Sequence, residues 1–319
     1  MTDISASASA ERTPLVSIVL ALGHDSDYLA AALQGVREQT FQEWELLVVD
    51  NGAAHPERVE ALIEDEPRMS MITIEHSATA GLARNIGVER TSGALITFLD
   101  DDDIWMPERL AVHVAQHAES PSAPASFSGY RHIDATGAAF GTDWRSRQTP
   151  ASEILRGTAP TPLGPTLMIR RDQFLAIGGH SPEIPILVDF ELGLRLALRG
   201  DFIYIDDLLV RYRRHSSNMT SMAPDNVRLR RLAMEDMIDR QRWAARGRGA
   251  TEIEEYFTER LKRYRRSESR IAGTDAPRQL RRGRIGDALR SSVWGLRRAP
   301  LEFLGGVIGT VTARARRGQ

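Results

Sequence analysis

Residues 14–22, PLVSIVLAL, are an unbroken apolar, β-branched run, which predicts a strand covered on both faces. From Ser26 to Gln39 the apolar positions Tyr28, Leu29, Ala32, Leu33 and Val36 recur at helical spacing instead. A second buried strand follows at 44–50, WELLVVD, and runs out into Asp50, Asn51 and Gly52. The alternation repeats, with a helix around 56–64, a strand around 69–75, a helix over 81–91 and a strand over 94–99. Elements in this order predict an α/β fold, a Rossmann-like, mostly parallel central sheet flanked by helices. Such sheets bind ligands beyond the carboxyl ends of their strands, where both Asp50-Asn51 and the run Asp100 to Asp103 fall.

Past residue 120 the pattern loosens. SPSAPAS (120–126) reads as a loop or the start of a strand, ILRGTAPTPLGP (154–165) as a crossing, and TLMIR (166–170) as a short strand. DFELGLRLALRG (189–200) is an amphipathic helix stopped by Gly200. DFIYIDDLLVRYRRH (201–215) reads as a strand pair ending in a basic turn. Beyond it the chain is almost wholly helical and arginine-rich. The expected division is a disordered lead-in over 1–13, a domain over 14–224 and a basic helical C-terminal region over 225–319. Within the domain, one half covers about 14–103 and the other about 104–224.

The distribution of charge changes this picture more than its sum does. The net charge is −2, yet residues 1–224 carry a balance of −13 and residues 225–319 one of +11. Such a split predicts that the tail faces something anionic, either the acidic domain or an outside partner. Lys262 is the only lysine, so the choice of arginine is a bias of the whole chain, but its clustering is not. A hydrophobic content of 42% and a charged content of 26% are those of a globular protein. The absence of cysteine excludes disulfides, thiolate metal sites and a cysteine nucleophile, and fits a reducing compartment. The first residues lack the basic and apolar regions of a signal peptide, and no apolar stretch reaches the length of a membrane span. A cytoplasmic protein is expected, without nucleic acid as a partner.

Candidate chemistry gathers at the strand ends. Four adjacent carboxylates repel one another, and a hard divalent cation such as Mg²⁺ or Mn²⁺ takes one or two carboxylates plus substrate phosphates. Residues i and i+2 of an extended segment project to one side, which makes Asp100 and Asp102 a natural pair. The alternative is a solvated acidic turn before the helix that opens at Pro107. Asp189 and Glu191, at the start of a helix, are each either a charge complementing the helix dipole or a general base, and spacing does not rank them. His215 has Arg195, Arg211, Arg213 and Arg214 near it in sequence or on the preceding helix, a grouping that fits phosphate. Arg84-Asn85 opens a helix where a diphosphate could meet backbone N–H groups. There is no G-x-G-x-x-G after the first strand, no phosphate-binding G-x-x-x-x-G-K-[ST] loop and no G-x-S-x-G elbow. What remains is a metal-dependent site for a phosphorylated ligand.

Five segments from Pro14 to Ser221 resemble, in order and spacing, those of glycosyltransferase family 2, inverting enzymes of the GT-A fold. They are PLVSIVLAL, QTFQEWELLVVDNG, GLARNIGVERTSGALITFLDDDDIWMPERL, FLAIGGHSPEIPILVDFELGLRLALRG and VRYRRHSSNMTS. The resemblance implies a metal-dependent transfer of sugar from a nucleoside-diphosphate sugar, a UDP- or dTDP-sugar first, to an acceptor hydroxyl in cell wall or polysaccharide synthesis. It implies a nucleotide-binding half over about 14–103 and an acceptor half over about 104–224, with Asp50 and Asn51 against the base and ribose, Arg84 near the base or diphosphate, and Asp100 and Asp101 in contact with the nucleotide sugar. Asp102 and His215 match the metal-binding positions, and Asp189 matches the general base, which ranks it above Glu191. The chain departs from the family pattern at ALGH (21–24), Asn51, Val188 and His180. Those departures carry an alternative, a nucleotide-sugar-binding protein with little or no transfer. A nucleotidyltransferase would need a glycine-rich basic loop after the first strand, which GHDSDY is not.

In the tail, RIGDALRSSVWGLRR (284–298) sets Ile285, Leu289, Val293 and Leu296 on one helical stripe. The first expectation is a helix packing this stripe on the catalytic domain with its arginines in solvent. The second is a peripheral helix at the inner face of an anionic membrane, near a lipid-linked acceptor.

Overall fold

The computed structural model describes residues 15–74, 79–145, 147–162, 164–184, 186–215 and 224–315. The expected lead-in over 1–13 and the Ser216–Ser221 end of the last family segment lie outside the described residues. The chain divides into two compact units, one of residues 1–149 and 162–215, the other of 150–161 and 216–319. Residues 150–161 thus group with the C-terminal helices, although in sequence they fall inside the 104–224 half.

The first unit is built on one mixed sheet of strands β1 (Val16–Leu22), β2 (Trp44–Asp50), β3 (Met69–Thr73), β4 (Leu95–Phe98), β5 (Ile104–Trp105), β6 (Ala125–Ile133), β7 (Leu167–Arg170) and β8 (Ile203–Arg213). Its spatial order is β3-β2-β1-β4-β7-β6-β8-β5. The first four of these neighbours are parallel, as the alternation requires, and β6–β8 is parallel as well. The β4–β7, β6–β7 and β5–β8 pairs are antiparallel, so the sheet is α/β in class but changes direction at β7. The segment 201–215 holds one long strand, not a strand pair. Register shifts opposite Ser128-Gly129-Tyr130 absorb its irregularity, as a bulge does.

Helices α1 (Leu29–Arg37), α2 (Pro56–Ile63), α3 (Ala80–Glu89) and α4 (Arg109–Glu119) flank this sheet. Val16, Ile18, Leu20 and Leu22 of β1 share a core with Leu29, Leu33 and Val36 of α1 and Val59 and Ile63 of α2. Val19 and Val49 face α3, which comes so close at Gly87 that a Cβ there would stand 2.3 Å from Val19. Both faces of β1 are therefore dry, which is why its sequence lacks polar alternation.

The second unit contains α5 (Ala151–Arg156) and, after α6 (Arg171–Ala176) and α7 (Val188–Ala197) of the first unit, helices α8 (Pro224–Gly247), α9 (Thr251–Arg281), α10 (Ile285–Arg298) and α11 (Pro300–Ala315). Ion pairs Arg265–Glu235 (2.7 Å) and Arg231–Glu268 (2.9 Å) join α8 to α9. The buried Arg260 of α9 donates to Thr161 Oγ1 (3.0 Å) and to the Ile154 carbonyl.

Candidate active site

Asp50 ends β2 and is buried. Its Oδ1 accepts the backbone N–H groups of Gly52 (2.9 Å) and Ala53 (2.8 Å), an Asx turn that leads the chain off the sheet. Asn51 donates its own backbone N–H to the Leu22 carbonyl (2.8 Å), which pins it to the tip of β1. On the other side of β1, Leu99 donates to the Val19 carbonyl (3.0 Å) and the chain then enters the four aspartates. Two strand spacings, about 10 Å, thus separate the Asp50 and Asp100 edges of one opening.

The four aspartates do four different things. Asp100 Oδ1 accepts from Arg84 Nη2 (2.7 Å). Asp101 lies 3.7 Å from the exposed imidazole of His24. Asp102 Oδ2 lies 2.9 Å from His215 Nε2, across 113 residues of chain. Asp103 is wholly buried, takes the Arg213 backbone N–H on Oδ1 (2.9 Å) and has no hydrogen-bond partner on Oδ2 among the described residues.

Arg84 is the joint of the site. Thr79 caps α3 by accepting the Leu82 N–H (3.2 Å), which places Arg84 on the second turn. Its side chain is buried, with Nη1 on Asp189 Oδ1 (2.8 Å) and Nη2 on Asp100 Oδ1 (2.7 Å). A planar fork suits two carboxylates held at one distance, which a lysine could not match. Asp189 lies in the first turn of α7, whose preceding residue, Leu187, adopts a left-handed φ of 63°. Leu187 is the one described non-glycine residue with positive φ, a strain of the kind that functional sites hold. Opposite stands Gly164, where a Cβ would come within 2.3 Å of the Asp189 carboxyl.

Glu191, which spacing could not separate from Asp189, is buried and fully engaged. Arg195 binds both its oxygens, with Nε on Oε1 at 2.6 Å, and carries a further bond to the Ile177 carbonyl (2.7 Å). Arg213 is likewise internal, with Nε on the Asp102 carbonyl (2.8 Å) and Nη1 on the Asp134 carbonyl (3.0 Å). Two of the four arginines expected to face phosphate therefore hold the scaffold instead. Val188 and His180 are both buried, and each approaches Gly81 at the start of α3. Gly164 and Leu187 left almost no trace in sequence, because a glycine in a proline-rich crossing and a leucine before a helix are both ordinary.

Burial and mutual repulsion act together on these carboxylates. Burial pushes the Asp100 carboxyl up to about 7 against the pull of Arg84, with Asp189, Asp102 and Asp101 adding repulsion. Burial also raises Asp102, although its hydrogen bond to His215 works the other way, and raises Asp103 well above the ordinary range. Arg84 loses solvation too, but Asp189 and Asp100 outweigh that and keep it charged. Among the described residues no group of three or more histidine or carboxylate side chains is placed to hold a metal. Asp102 and His215 nonetheless fit a hard divalent cation shared with a diphosphate, since one carboxylate and one imidazole leave the other positions to phosphate and water.

The model of the glycosyl transferase family 2 domain matches residues 17–178, just over half of the chain. The chain belongs to glycosyltransferase family 2. Its relatives carry the same class of name. It is 34% identical over 101 residues to the Escherichia coli UDP-Glc:alpha-D-GlcNAc-diphosphoundecaprenol beta-1,3-glucosyltransferase WfgD, a match spanning 32% of this chain and only 40% of that protein. It is 26% identical over 212 residues to the putative teichuronic acid biosynthesis glycosyltransferase TuaG of Bacillus subtilis, spanning 65% of this chain and 82% of TuaG. Among solved structures it resembles Staphylococcus aureus TarS 1–349 in complex with UDP-GlcNAc, with a TM-score of 0.57 and 14% identity over 87% of this chain and 90% of that one. It also resembles the Pyrobaculum calidifontis mannosyltransferase PcManGT with GDP-Man and Mn²⁺, with a TM-score of 0.60 and 13% identity over 97% of this chain and 82% of that one. At these identities the structural likeness carries the fold, an α/β sheet flanked by helices of the GT-A type.

Proposed function

We propose that this family 2 protein is an inverting, metal-dependent glycosyltransferase with Asp189 as its general base. The observation that carries the reading is the Arg84 bridge, which brings Asp100 and Asp189 to one guanidinium from opposite parts of the chain. On this reading Asp50, Asn51, Asp100 and Asp101 receive the nucleoside and sugar at the strand ends, and Arg84 orients the two carboxylates between donor and acceptor. Asp189 Oδ1 is held by Arg84 and Oδ2 lies toward Gly164. The acceptor hydroxyl attacks C1 of the sugar from the face opposite the diphosphate, Asp189 takes its proton, and the C1–O bond to the diphosphate breaks with inversion. One carboxylate base is enough, because the leaving diphosphate needs charge compensation and not a general acid. A Mg²⁺ or Mn²⁺ ion held by Asp102, His215 and the diphosphate supplies that charge when bound.

A UDP-sugar is the first donor to test, as the names of WfgD and the TarS complex support. Relatives named for teichuronic acid and colanic acid biosynthesis support a surface polysaccharide or its lipid-linked precursor as the acceptor. The test is thermal-shift screening of UDP-, dTDP- and GDP-sugars with and without Mn²⁺, followed by assay of nucleoside diphosphate release with acceptor. Metal-dependent stabilisation with release supports transfer. Binding without turnover across a broad acceptor panel replaces this reading with that of a nucleotide-sugar-binding protein.

A further inference from the structure

The C-terminal helices are packed the wrong way round for a water-exposed bundle. Where α9, α10 and α11 meet, the contact residues are small. A Cβ on Gly273 would stand 2.1 Å from the Phe303 carbonyl oxygen, one on Gly306 2.2 Å from the Arg270 carbonyl oxygen, and one on Gly295 2.5 Å from the Phe303 ring. Ala272, Ala276 and Phe303 complete this seam. The large aliphatic residues lie elsewhere. Ile285, Leu289, Val293 and Leu296 of α10 are between 45% and 60% exposed. At 100° per residue they occupy an arc of about 80°. In α11, Leu301, Leu304 and Ile308 share a face roughly opposite Phe303, and Leu301 is 79% exposed. Within this unit the α10 stripe therefore lies outside the seam, which glycine, alanine and one phenylalanine fill instead.

Charge indicates what covers this surface. Residues 278–298 hold seven arginines and one acidic residue, Asp287. Arg284 and Arg290 share Asp287, and Arg298 is held by Glu235. Arg281, Arg282 and Arg297 are exposed and have no ion pair among the described residues. Arg290 and Arg297 follow the aliphatic arc on one side, so an apolar strip and a cationic margin run along the same helix. A second protein copy would have to bury that like charge against itself.

We infer that α10 and α11 form a peripheral docking surface for an anionic phospholipid bilayer, with the aliphatic side chains among the acyl chains and the arginines at the phosphates. The helices lie on the membrane and do not cross it. Among the described residues no helix is long and apolar enough to do so, and the 16 residues of α11 span about 24 Å against a hydrocarbon core of about 30 Å. This inference goes beyond the proposed transfer reaction and does not depend on it.

The test is co-sedimentation of the full chain with vesicles of phosphatidylglycerol and phosphatidylcholine, against phosphatidylcholine alone, at low and high salt. Wild type is expected to pellet with the anionic vesicles and to be released by salt. The triple variant Arg281→Gln, Arg282→Gln, Arg297→Gln should bind about a hundredfold more weakly, at roughly one factor of five per arginine. The double variant Leu289→Glu, Val293→Glu should lose binding by at least about tenfold. Both variants change exposed positions, so unchanged circular dichroism and unchanged thermal stabilisation by UDP and Mn²⁺ separate lost docking from lost folding or lost donor binding. Absence of wild-type binding to anionic vesicles, or equal binding by all three proteins, overturns the inference. So does a wild-type dimer that the Leu289→Glu, Val293→Glu change makes monomeric while vesicles bind neither form.

Discussion

Arg84 and Asp189 stand 105 positions apart in the chain and 2.8 Å apart in the fold, with the same guanidinium holding Asp100 at 2.7 Å. That pairing fixes the orientation of the Asp189 carboxyl. Replacing Asp189 by Asn keeps the shape and removes the proton acceptor. Transfer should fall by about 10²–10⁴-fold while UDP and Mn²⁺ still stabilise the protein. Retained turnover in a steady-state assay would refute Asp189 as the base. Arg84→Lys, which cannot bridge two carboxylates in one plane, should lower turnover and reduce thermal stability together.

Gly164 sets the space for the Asp189 carboxyl. A methyl group there would sit 2.3 Å from the Asp189 carboxyl, so Gly164→Ala has to move the carboxylate or the turn that carries residue 164. The expected result is a turnover loss of about a hundredfold, since small displacements of positioned groups cost that much, with donor binding unchanged. If Gly164→Ala is fully active, the carboxylate does not work from the seat seen here.

Asp102 and His215 are expected to hold the cation together with the diphosphate. Asp102→Asn and His215→Ala should each weaken the Mn²⁺-dependent part of UDP binding by at least about tenfold, read by calorimetry with and without metal. The same titration should depend on pH. The Asp100 carboxyl, pushed up to about 7 by burial, is charged above that value and neutral below it. Mn²⁺-dependent binding should therefore strengthen as the pH rises from about 6 to about 8. A flat profile would remove Asp100 from the cation's surroundings.

His180 is buried with its ring among Phe98 and Phe174, with centroids at 4.9 Å and 5.6 Å, and that ring has the Val188 backbone as its one hydrogen-bonding neighbour among the described residues. Burial holds it well below its ordinary value of 6.5, so it is neutral in the fold. Between that lowered value and 6.5 the unfolded state binds the extra proton, and stability present above pH 6.5 is lost as the pH falls. His180→Phe should stabilise the protein by about 1 kcal/mol at pH 7.5, because it removes poorly satisfied polar atoms from an aromatic, buried setting. Its advantage over wild type should then grow by about 1.4 kcal/mol per unit below pH 6.5 in urea melts. Parallel stability curves would mean that the histidine is solvated or paired.

The α/β alternation was readable residue by residue because strands covered on both faces leave continuous apolar runs, and β1 and β2 lie where PLVSIVLAL and WELLVVD place them. The carboxyl-end position of the aspartates followed from the same runs, since a strand must end before it can present a polar group to solvent. Sequence also marked the aliphatic stripe of α10, because helical spacing is local. It did not say which way that stripe faces, for a stripe looks the same against a domain and against a lipid. Contacts across 105 and 113 positions, Arg84 with Asp189 and Asp102 with His215, arise only when separate strand ends converge. The same convergence divided four identical aspartates into a buried prop, an arginine partner, a histidine partner and a rim residue. Neighbours in sequence share a composition, but burial and partners are assigned one side chain at a time by the fold.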